Sequence, residues 1–197
     1  MVFGTIGRDA VKIVLFTEDD TTGKAIRILA QKVLAEKSKP PKVIQRWVRQ
    51  GHIFNPKNIV LFIKNEIQQE KSKIIICVDS ECTNPSIIER NLGPCKRAVK
   101  GLQVVVYFLV VVHALETWLA ADEEALRIIL KTNKEIKIPG DLENECRPGN
   151  ILQEVFHKHG RKFAKSKDDL AIAEHANPAQ IAKRCNSFRK FQQILLS

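Results

Sequence analysis

The stretch that decides the fold is KIIICVDSE, at residues 73–81, where a continuous apolar run ends abruptly in acidic residues. Short apolar runs without alternation are typical of strands that are buried on both faces, as in a parallel sheet. Ligands of open parallel sheets bind beyond the carboxyl ends of the strands. The stretch therefore predicts a buried strand that delivers Asp79 and Glu81 to a ligand-binding edge.

Two other segments, residues 11–16 and 103–112, have the same apolar character and are also predicted to be strands. Residues 42–48 have a weaker periodicity, so a strand and a helical turn both remain open there. Strands that alternate with helices indicate an α/β fold, with a mostly parallel central sheet flanked by helices. The helical patterns cover residues 21–34, 56–67, 85–91, 113–119 and 122–131.

Residues 136–197 have a different character, because they are rich in Lys and Arg and their predicted helices follow one another. One of these helices, at residues 170–175, comes after a capping-box pattern at residues 166–169. We therefore expect an α/β domain at residues 1–135 and a helical, basic C-terminal extension that packs on the same domain.

The charge of the chain favours a polyanionic partner. Its 197 residues include 32 basic and 22 acidic side chains, a net charge of +10, although solubility alone is the simpler alternative. Phosphate contacts are independent of base sequence and sensitive to salt, so we expect nucleic acid, DNA before RNA, to be bound through its backbone. The residues predicted to contact phosphates are Arg161, Lys162, Lys165, Lys167, Arg189 and Lys190. The alternative is that these side chains only form a solvated basic face.

The five cysteines are odd in number and include no CxxC motif, which indicates reduced thiols and a cytoplasmic location. No signal peptide is expected, because an acidic turn follows the short apolar run near the N-terminus. The most apolar stretch, residues 102–112, is far shorter than the roughly 20 residues that span a bilayer. We therefore expect no membrane segment.

Acidic residues follow three of the predicted strands. Glu18 comes after the first strand, Asp79 and Glu81 end the third, and Glu116 lies one helical turn past the fourth. Hard divalent cations such as Mg²⁺ need oxygen ligands, and a cation relieves the repulsion among clustered carboxylates. The pattern therefore predicts a site for Mg²⁺ or Mn²⁺ at the carboxyl edge of the sheet.

Several of the acidic residues also have a plainer interpretation. Asp19 and Asp20 are equally well explained as caps of the first helix, and Asp79 as part of an ordinary turn. For Glu116 the plainer interpretation is an exposed, solvated position, but its apolar neighbours favour burial, and a buried carboxylate needs a partner. His113 shares a helix face with Glu116, and three interpretations stay open: a group that supports the site, a ligand, or a satisfied core residue.

Other classes of site lack their motifs. Residues 21–24, TTGK, do not have the glycine spacing of a phosphate-binding P-loop. The sequence contains no GxSxG nucleophile motif, and its cysteines do not have the spacing of zinc ligands.

The acidic pattern resembles the Toprim fold, the catalytic domain of topoisomerases, primases, small recombination-repair proteins and the OLD (overcoming lysogenisation defect) nucleases. Toprim domains carry a glutamate after the first strand and an acidic DxD-type pair after a later one, which Glu18 and Asp79-Ser80-Glu81 resemble. The chain departs from that pattern twice. Asp19 stands where glycine is usual, and Glu81 where the second aspartate is usual.

A closer likeness is to an uncharacterised Toprim-like family of prokaryotic proteins related to the OLD nucleases, over about residues 11–195. The segment VHALETWLAAD, at residues 112–122, is similar to that family's hExWLlAD-like segment. In the tail, FAKSKD at residues 163–168 and CNSFRKF at residues 185–191 are similar to its Y-x-K and C-x-S-F-x-x-F patterns.

This resemblance implies a metal-dependent nuclease or a related phosphodiester-processing enzyme. It implies that Asp79, Glu81 and Glu116 coordinate Mg²⁺ or Mn²⁺, and that Glu18 is a further ligand or the general base. Lys165 resembles the lysine that OLD nucleases place near their site, where it would stabilise developing negative charge.

Three hypotheses about function follow. The first is the metal-dependent enzyme, and the second is a non-catalytic nucleic-acid-binding module that keeps the fold. The third is an interaction subunit whose partner supplies catalysis, and the sequence is compatible with an oligomer.

Overall fold

All of the predicted strands are present, and the four strands in the described residues form one parallel sheet. The computed structural model describes residues 12–49, 51–67 and 72–197, so Val11, the first residue of a predicted strand, lies outside the described residues. The α/β fold with a parallel sheet is thus confirmed. The strands are β1 (Lys12–Thr17), β2 (Lys42–Trp47), β3 (Ser72–Asp79) and β4 (Val105–Val111).

The order of the strands in the sheet is β2-β1-β3-β4. The chain runs from β1 to the edge strand β2 and then crosses back past β1 to β3. This reversal makes the carboxyl ends of β1 and β3 the switch point of the sheet, the place where open α/β sheets generally bind ligands. Glu18 directly follows β1 and Asp79 ends β3, so both residues lie at this switch point.

Helices make up most of the remaining chain. Helices α2 and α3 lie close to the predicted ranges, whereas α4 was not predicted because Gly93-Pro94 indicated only the end of the preceding helix. The α-helices are α1 (Asp20–Leu34), α2 (Pro56–Glu66), α3 (Pro85–Asn91), α4 (Gly93–Ala98), α5 (Leu115–Ala120), α6 (Glu123–Leu130), α7 (Pro148–Lys158), α8 (Lys165–His175), α9 (Pro178–Arg184) and α10 (Asn186–Leu196).

The sheet is buried on both faces, which explains its apolar runs without alternation. Successive residues of β1 point to opposite sides, so Leu15 packs into one core and Val14 into the other. Helix α1 and the helices after β4 cover the first face, whereas α2 and α4 cover the second. The C-terminal helices therefore share a core with α1, while the predicted domain division at residue 135 stays a prediction.

Two helices begin elsewhere than predicted. Helix α5 begins at Leu115 and not at His113, because His113 has a left-handed backbone (φ 59°) that ends β4 in a turn. Helix α8 begins at Lys165, so Ser166 lies inside the helix and the predicted capping box is wrong. Asp168 Oδ2 instead accepts a hydrogen bond from the Ala164 N–H (2.7 Å), which caps α8 from within its first turns.

The two stretches that carried the family likeness pack on each other. Trp118 of α5 is fully buried, and its ring lies 5.0 Å from the Phe188 ring and 5.4 Å from the Phe191 ring. The Trp118 indole N–H donates to Ser187 Oγ (2.8 Å). These contacts pack α10 against α5, which follows the last strand of the sheet.

The prediction of reduced thiols is wrong for one pair of cysteines. Cys82, just after β3, and Cys146, just before α7, form a disulfide across 64 residues of chain. Such a pairing has no signature in a sequence with an odd number of cysteines and no CxxC motif. Cys77, Cys95 and Cys185 are free and buried, as small apolar side chains.

Within the described residues, every helix is too short or too polar to cross a membrane.

Candidate functional site

Glu18 lies where β1 ends and is partly buried. Its Oε1 atom accepts a hydrogen bond from the Gly51 N–H (3.3 Å). Burial raises the pKa of Glu18, the Gly51 hydrogen bond lowers it, and the charges of Glu81 and Asp19 raise it. Burial is the largest cause of the upward shift in the pKa of Glu18, and the two neighbouring negative charges add to it.

Of the two residues after Glu18, Asp19 has the predicted capping role and Asp20 has a different one. Asp19 caps α1, because its Oδ1 atom accepts from the Thr22 N–H (2.7 Å). Asp20 pairs with Lys24 along the surface of α1 (2.5 Å). The charge of Asp19 nevertheless acts on the neighbouring carboxylates, as the pKa shifts below indicate.

A close approach of α1 to the sheet places these residues. A Cβ atom on Gly23 would lie 2.5 Å from both Thr17 Oγ1 and Gln45 Nε2, which is much shorter than a van der Waals contact. Only glycine therefore lets the first turn of α1 pack this tightly against β1 and β2. The tight packing holds the N-terminus of α1, with Asp19, at the carboxyl edge of the sheet.

Asp79, the last residue of β3, is electrostatically coupled to three other carboxylates. Burial is the largest of the causes that raise the pKa of Asp79 well above its usual range, and neighbouring negative charges raise it further. The Lys165 ammonium acts in the opposite direction. The neighbouring carboxylates are Glu116, Asp19 and Glu18.

Glu81 lies in a turn that is tied to His113. Glu81 has a left-handed backbone (φ 49°), and its N–H donates to the His113 carbonyl (2.7 Å). His113 Nδ1 lies 2.5 Å from the Glu81 carbonyl, and its Nε2 lies 2.9 Å from the Glu143 carbonyl. Both ring nitrogens thus face backbone oxygens, so His113 holds two loops together. The Glu81 side chain is exposed, and its charge acts on Glu18.

Glu116, in the first turn of α5, is buried and has a cationic partner. Its Oε1 atom lies 2.7 Å from the Nζ atom of Lys165, the first residue of α8. The Glu116 side chain is only 6% exposed, whereas that of Lys165 is 58% exposed. Gly149, at the start of α7, lies against Glu116, because a Cβ atom there would be 3.9 Å from Oε1.

Lys165 interacts with carboxylates from three segments. Burial alone would lower the pKa of Lys165, but the hydrogen bond and the charge of Glu116 raise it overall, as do Asp169 and Asp19. Two of the predicted site residues, Glu116 and Lys165, are therefore in direct contact. Asp79 joins them through its electrostatic coupling to both.

Asp169 belongs to the same group of coupled carboxylates around Lys165, although it was not predicted as a site residue from the sequence. It is completely buried in α8, and neither of its carboxylate oxygens has a hydrogen-bond partner among the residues that the structure describes. Burial raises the pKa of Asp169 to about 8, with further contributions from Glu116, Asp19 and Asp168 and an opposing one from Lys165. Its spacing from Lys165, four residues along one helix face, was the signal that could have found it.

We call the five coupled residues the acidic cluster: Glu18, Asp19, Asp79, Glu116 and Asp169.

The chemistry of this cluster fits a hard divalent cation, since all of its side chains offer carboxylate oxygens. The buried oxygens of Asp169 that lack partners also fit such an ion. Across the described residues, however, no three His, Cys, Asp or Glu side chains are already arranged to hold a metal. A cation would thus require the carboxylates to reorient, and Glu116 to leave or share Lys165.

The predicted phosphate-contacting residues do not form one uniform group. Arg161 donates to the Ile129 carbonyl (2.7 Å) and to Asp168 (3.3 Å). Arg189 donates to the Ala182 carbonyl at 3.2 and 3.0 Å. These two side chains are therefore partly occupied by structural contacts. The exposed remainder consists of Lys162, Lys165, Lys167 and Lys190.

Comparison with known proteins identifies a family, but the description of that family assigns no activity to it. Residues 17–196 match the family described as "Domain of unknown function (DUF4276)", and the chain belongs to this family. No curated protein matches the chain, and no solved structure matches it.

Proposed function

We propose that this protein is a Mg²⁺- or Mn²⁺-dependent phosphodiester-processing enzyme, a nuclease of the Toprim-like kind, that acts on nucleic acid at the acidic cluster. The observation that carries the proposal is the contact between buried Glu116 and Lys165, within a group of coupled carboxylates at the carboxyl edge of the sheet. This is the edge at which open parallel sheets bind their ligands.

The charge balance of the cluster supports a cation ligand. Glu18, Asp79 and Asp169 all have raised pKa values, first through burial and then through repulsion by their neighbours. Clustering carboxylates in this way lowers the stability of the fold, because their desolvation and mutual repulsion are both unfavourable. Binding a divalent cation would remove the repulsion, so the arrangement suits a protein that works with the ion bound.

The residues of the chain have separable roles in the proposed reaction. Asp79 and Glu116 would hold the ion, with Glu81 near the entrance of the site. When bound, the ion supplies charge neutralisation on the phosphodiester and lowers the pKa of an attacking water. Glu18 takes the proton of that water, and its partly buried position raises its pKa in the direction that suits a base.

Lys165 is suited to contact the substrate. Its side chain is half exposed and its charge is stabilised by Glu116, Asp169 and Asp19. An ammonium in this position can approach a phosphate oxygen and offset the negative charge that develops there. The exposed lysines Lys162 and Lys167, on either side of it in sequence, extend the positive charge for backbone phosphates.

We propose the cytoplasm as the location, since nucleic acid, the proposed substrate class, is found there. The Cys82–Cys146 disulfide is unusual for this compartment.

A nucleic-acid-binding module without catalysis is the second candidate. The observation that favours it is that Lys165 already neutralises Glu116 while no three ligands are assembled for a metal among the described residues. In that case the lysine would replace the ion as a structural element, and the exposed lysines would still bind phosphates.

A plasmid-nicking assay separates these two functions. Purified protein is incubated with supercoiled plasmid and Mg²⁺ or Mn²⁺, beside Glu18→Gln, Asp79→Asn and the control Asp20→Asn. Asp20 pairs with Lys24 on the helix surface and does not belong to the acidic cluster, so its variant leaves the cluster carboxylates in place. Nicking by the wild type and Asp20→Asn, lost in the other two, supports the enzyme. Salt-dependent gel shifts without any nicking would favour the binding module.

A further inference from the structure

We propose that Asp169 is a ligand of the divalent cation in the acidic cluster, so that helix α8 of the C-terminal region completes the site. This inference rests on the proposed function, because it adds a ligand to the same metal. It assigns a site role to a residue that neither the acidic motifs nor the strand ends indicate.

The placement of α8 brings Asp169 to the site. The helix packs against α1, which follows β1, and against α5, which carries Glu116. Lys165 and Asp169 are one helical turn apart and therefore share a face. Since Lys165 contacts Glu116 at 2.7 Å, that face of α8 is turned towards the acidic cluster.

The carboxylate of Asp169 has no structural task in the fold described here. It is 0% exposed, and within the described part of the chain both Oδ1 and Oδ2 are without a hydrogen-bond partner. Burial of a carboxylate without a partner is strongly unfavourable unless the group is neutralised or binds an ion. The two unpaired oxygens therefore suit the coordination of a cation.

The preceding residue provides an internal comparison. Asp168 is equally buried (2% exposed), but its oxygens accept from the Ala164 N–H at 2.7 Å and from Arg161 at 3.3 Å. Two adjacent aspartates of α8 thus have different tasks. Asp168 caps and braces the helix, and Asp169 faces other carboxylates without a partner.

The charges around Asp169 define the class of ligand. Glu116 and Asp19 are among the carboxylates that act on it, and Lys165 is the cation that opposes them. Carboxylates from β3, α5 and α8, namely Asp79, Glu116 and Asp169, could provide the oxygen ligands that Mg²⁺ and Mn²⁺ require. A phosphate or other anion is disfavoured at this buried position by the same charges.

Binding of Mn²⁺, measured by the paramagnetic resonance signal of the free ion, tests this ligand role in the full chain. We compare the wild type with Asp169→Asn, Asp169→Ala and the neighbouring control Asp168→Asn. Both substitutions of Asp169 should weaken Mn²⁺ binding by about 10-fold or more, the scale seen when groups of a metal site are removed. Asp168→Asn should keep the affinity of the wild type while lowering the unfolding temperature.

Thermal unfolding in the presence of a chelator supplies the second readout. Without metal, Asp169→Asn should unfold at a higher temperature than the wild type, because it removes an unpaired buried carboxylate. Unchanged Mn²⁺ affinity in folded Asp169→Asn and Asp169→Ala would overturn the ligand role and leave the proposed function standing. Absence of Mn²⁺ binding in the wild type itself would overturn both.

Discussion

The Nζ atom of Lys165 lies 2.7 Å from Oε1 of Glu116, and this pair joins the first turn of α8 to the first turn of α5. Residues 116 and 165 lie 49 positions apart in the sequence, so the pair connects two distant parts of the chain. It also joins the carboxyl edge of the sheet to the basic C-terminal region, so the stability of the site and its proposed chemistry depend on the same contact.

Removal of the Lys165 charge should destabilise the protein. Lys165→Met leaves the buried carboxylate of Glu116 without its partner, which should lower the free energy of unfolding by about 1–3 kcal/mol. The matched control is Lys167→Met, since Lys167 is an exposed residue of the same helix. Urea denaturation without divalent ions measures both. The double variant Lys165→Met with Glu116→Gln should recover most of the lost stability. Equal losses in Lys165→Met and Lys167→Met would contradict the pairing of Lys165 with Glu116.

The pKa shift of Asp169 predicts how stability depends on pH in the absence of metal. Its pKa is raised from the ordinary value of 3.8 to about 8, first through burial, so the folded protein binds this proton more tightly than the unfolded chain does. The resulting stabilisation is complete below the unfolded pKa and is lost as pH rises through the folded pKa.

Asp169→Asn should therefore be increasingly stabilised relative to the wild type as pH rises. Unfolding temperatures at about pH 6 and about pH 9, with a chelator present, measure this difference between the two proteins. Curves that stay parallel over this range would contradict the buried, unpaired state of Asp169.

A side chain at position 23 should disturb the carboxyl edge. In Gly23→Ala the new Cβ would lie 2.5 Å from Thr17 Oγ1, and we expect a loss of about 1–3 kcal/mol in the free energy of unfolding. Gly101→Ala is the control, because a Cβ at Gly101 meets no atom within 4 Å. Urea denaturation of the two variants should show a clear difference, and equal stabilities would mean that α1 does not approach the sheet so closely.

A buried hydrogen bond adds to the ring packing that docks α10. Ser187→Ala leaves the Trp118 indole N–H without its acceptor at 2.8 Å, which should lower the free energy of unfolding by about 1–3 kcal/mol. Ser166→Ala, on the exposed side of α8, should be close to neutral. Chemical denaturation followed by Trp fluorescence would measure both, and a neutral Ser187→Ala would contradict the contribution of this hydrogen bond.

The buried strands were the most predictable part of this fold. β1, β3 and β4 lie inside the sheet or against helices, so their apolar runs are continuous and unambiguous. β2 was ambiguous because its sequence, KVIQRW, interrupts the apolar residues with polar and charged ones, whereas β4, the other edge strand, keeps a continuous apolar run. The placement of carboxylates at one edge followed from the parallel direction of the strands, independently of any single residue.

Features that depend on long-range packing could not be predicted in the same way. Asp168 and Asp169 are adjacent and chemically identical in the sequence, and only the packing of α8 separates the capping residue from the unpaired one. The Cys82–Cys146 disulfide likewise joins two loops whose proximity comes from the fold. The position of His113 between two carbonyl oxygens also depends on loops that are distant in sequence.

The central claim is that the acidic cluster processes phosphodiesters with a divalent cation. The most direct measurement is the initial rate of plasmid nicking by Asp79→Asn and by Asp20→Asn, purified in parallel, over a range of Mn²⁺ concentrations. The account predicts a metal-dependent rate that Asp20→Asn keeps and that Asp79→Asn lowers by about 100-fold or more, the scale of losing electrostatic stabilisation of the transition state. Equal rates for the two variants, or no metal-dependent nicking by the wild type, would contradict it.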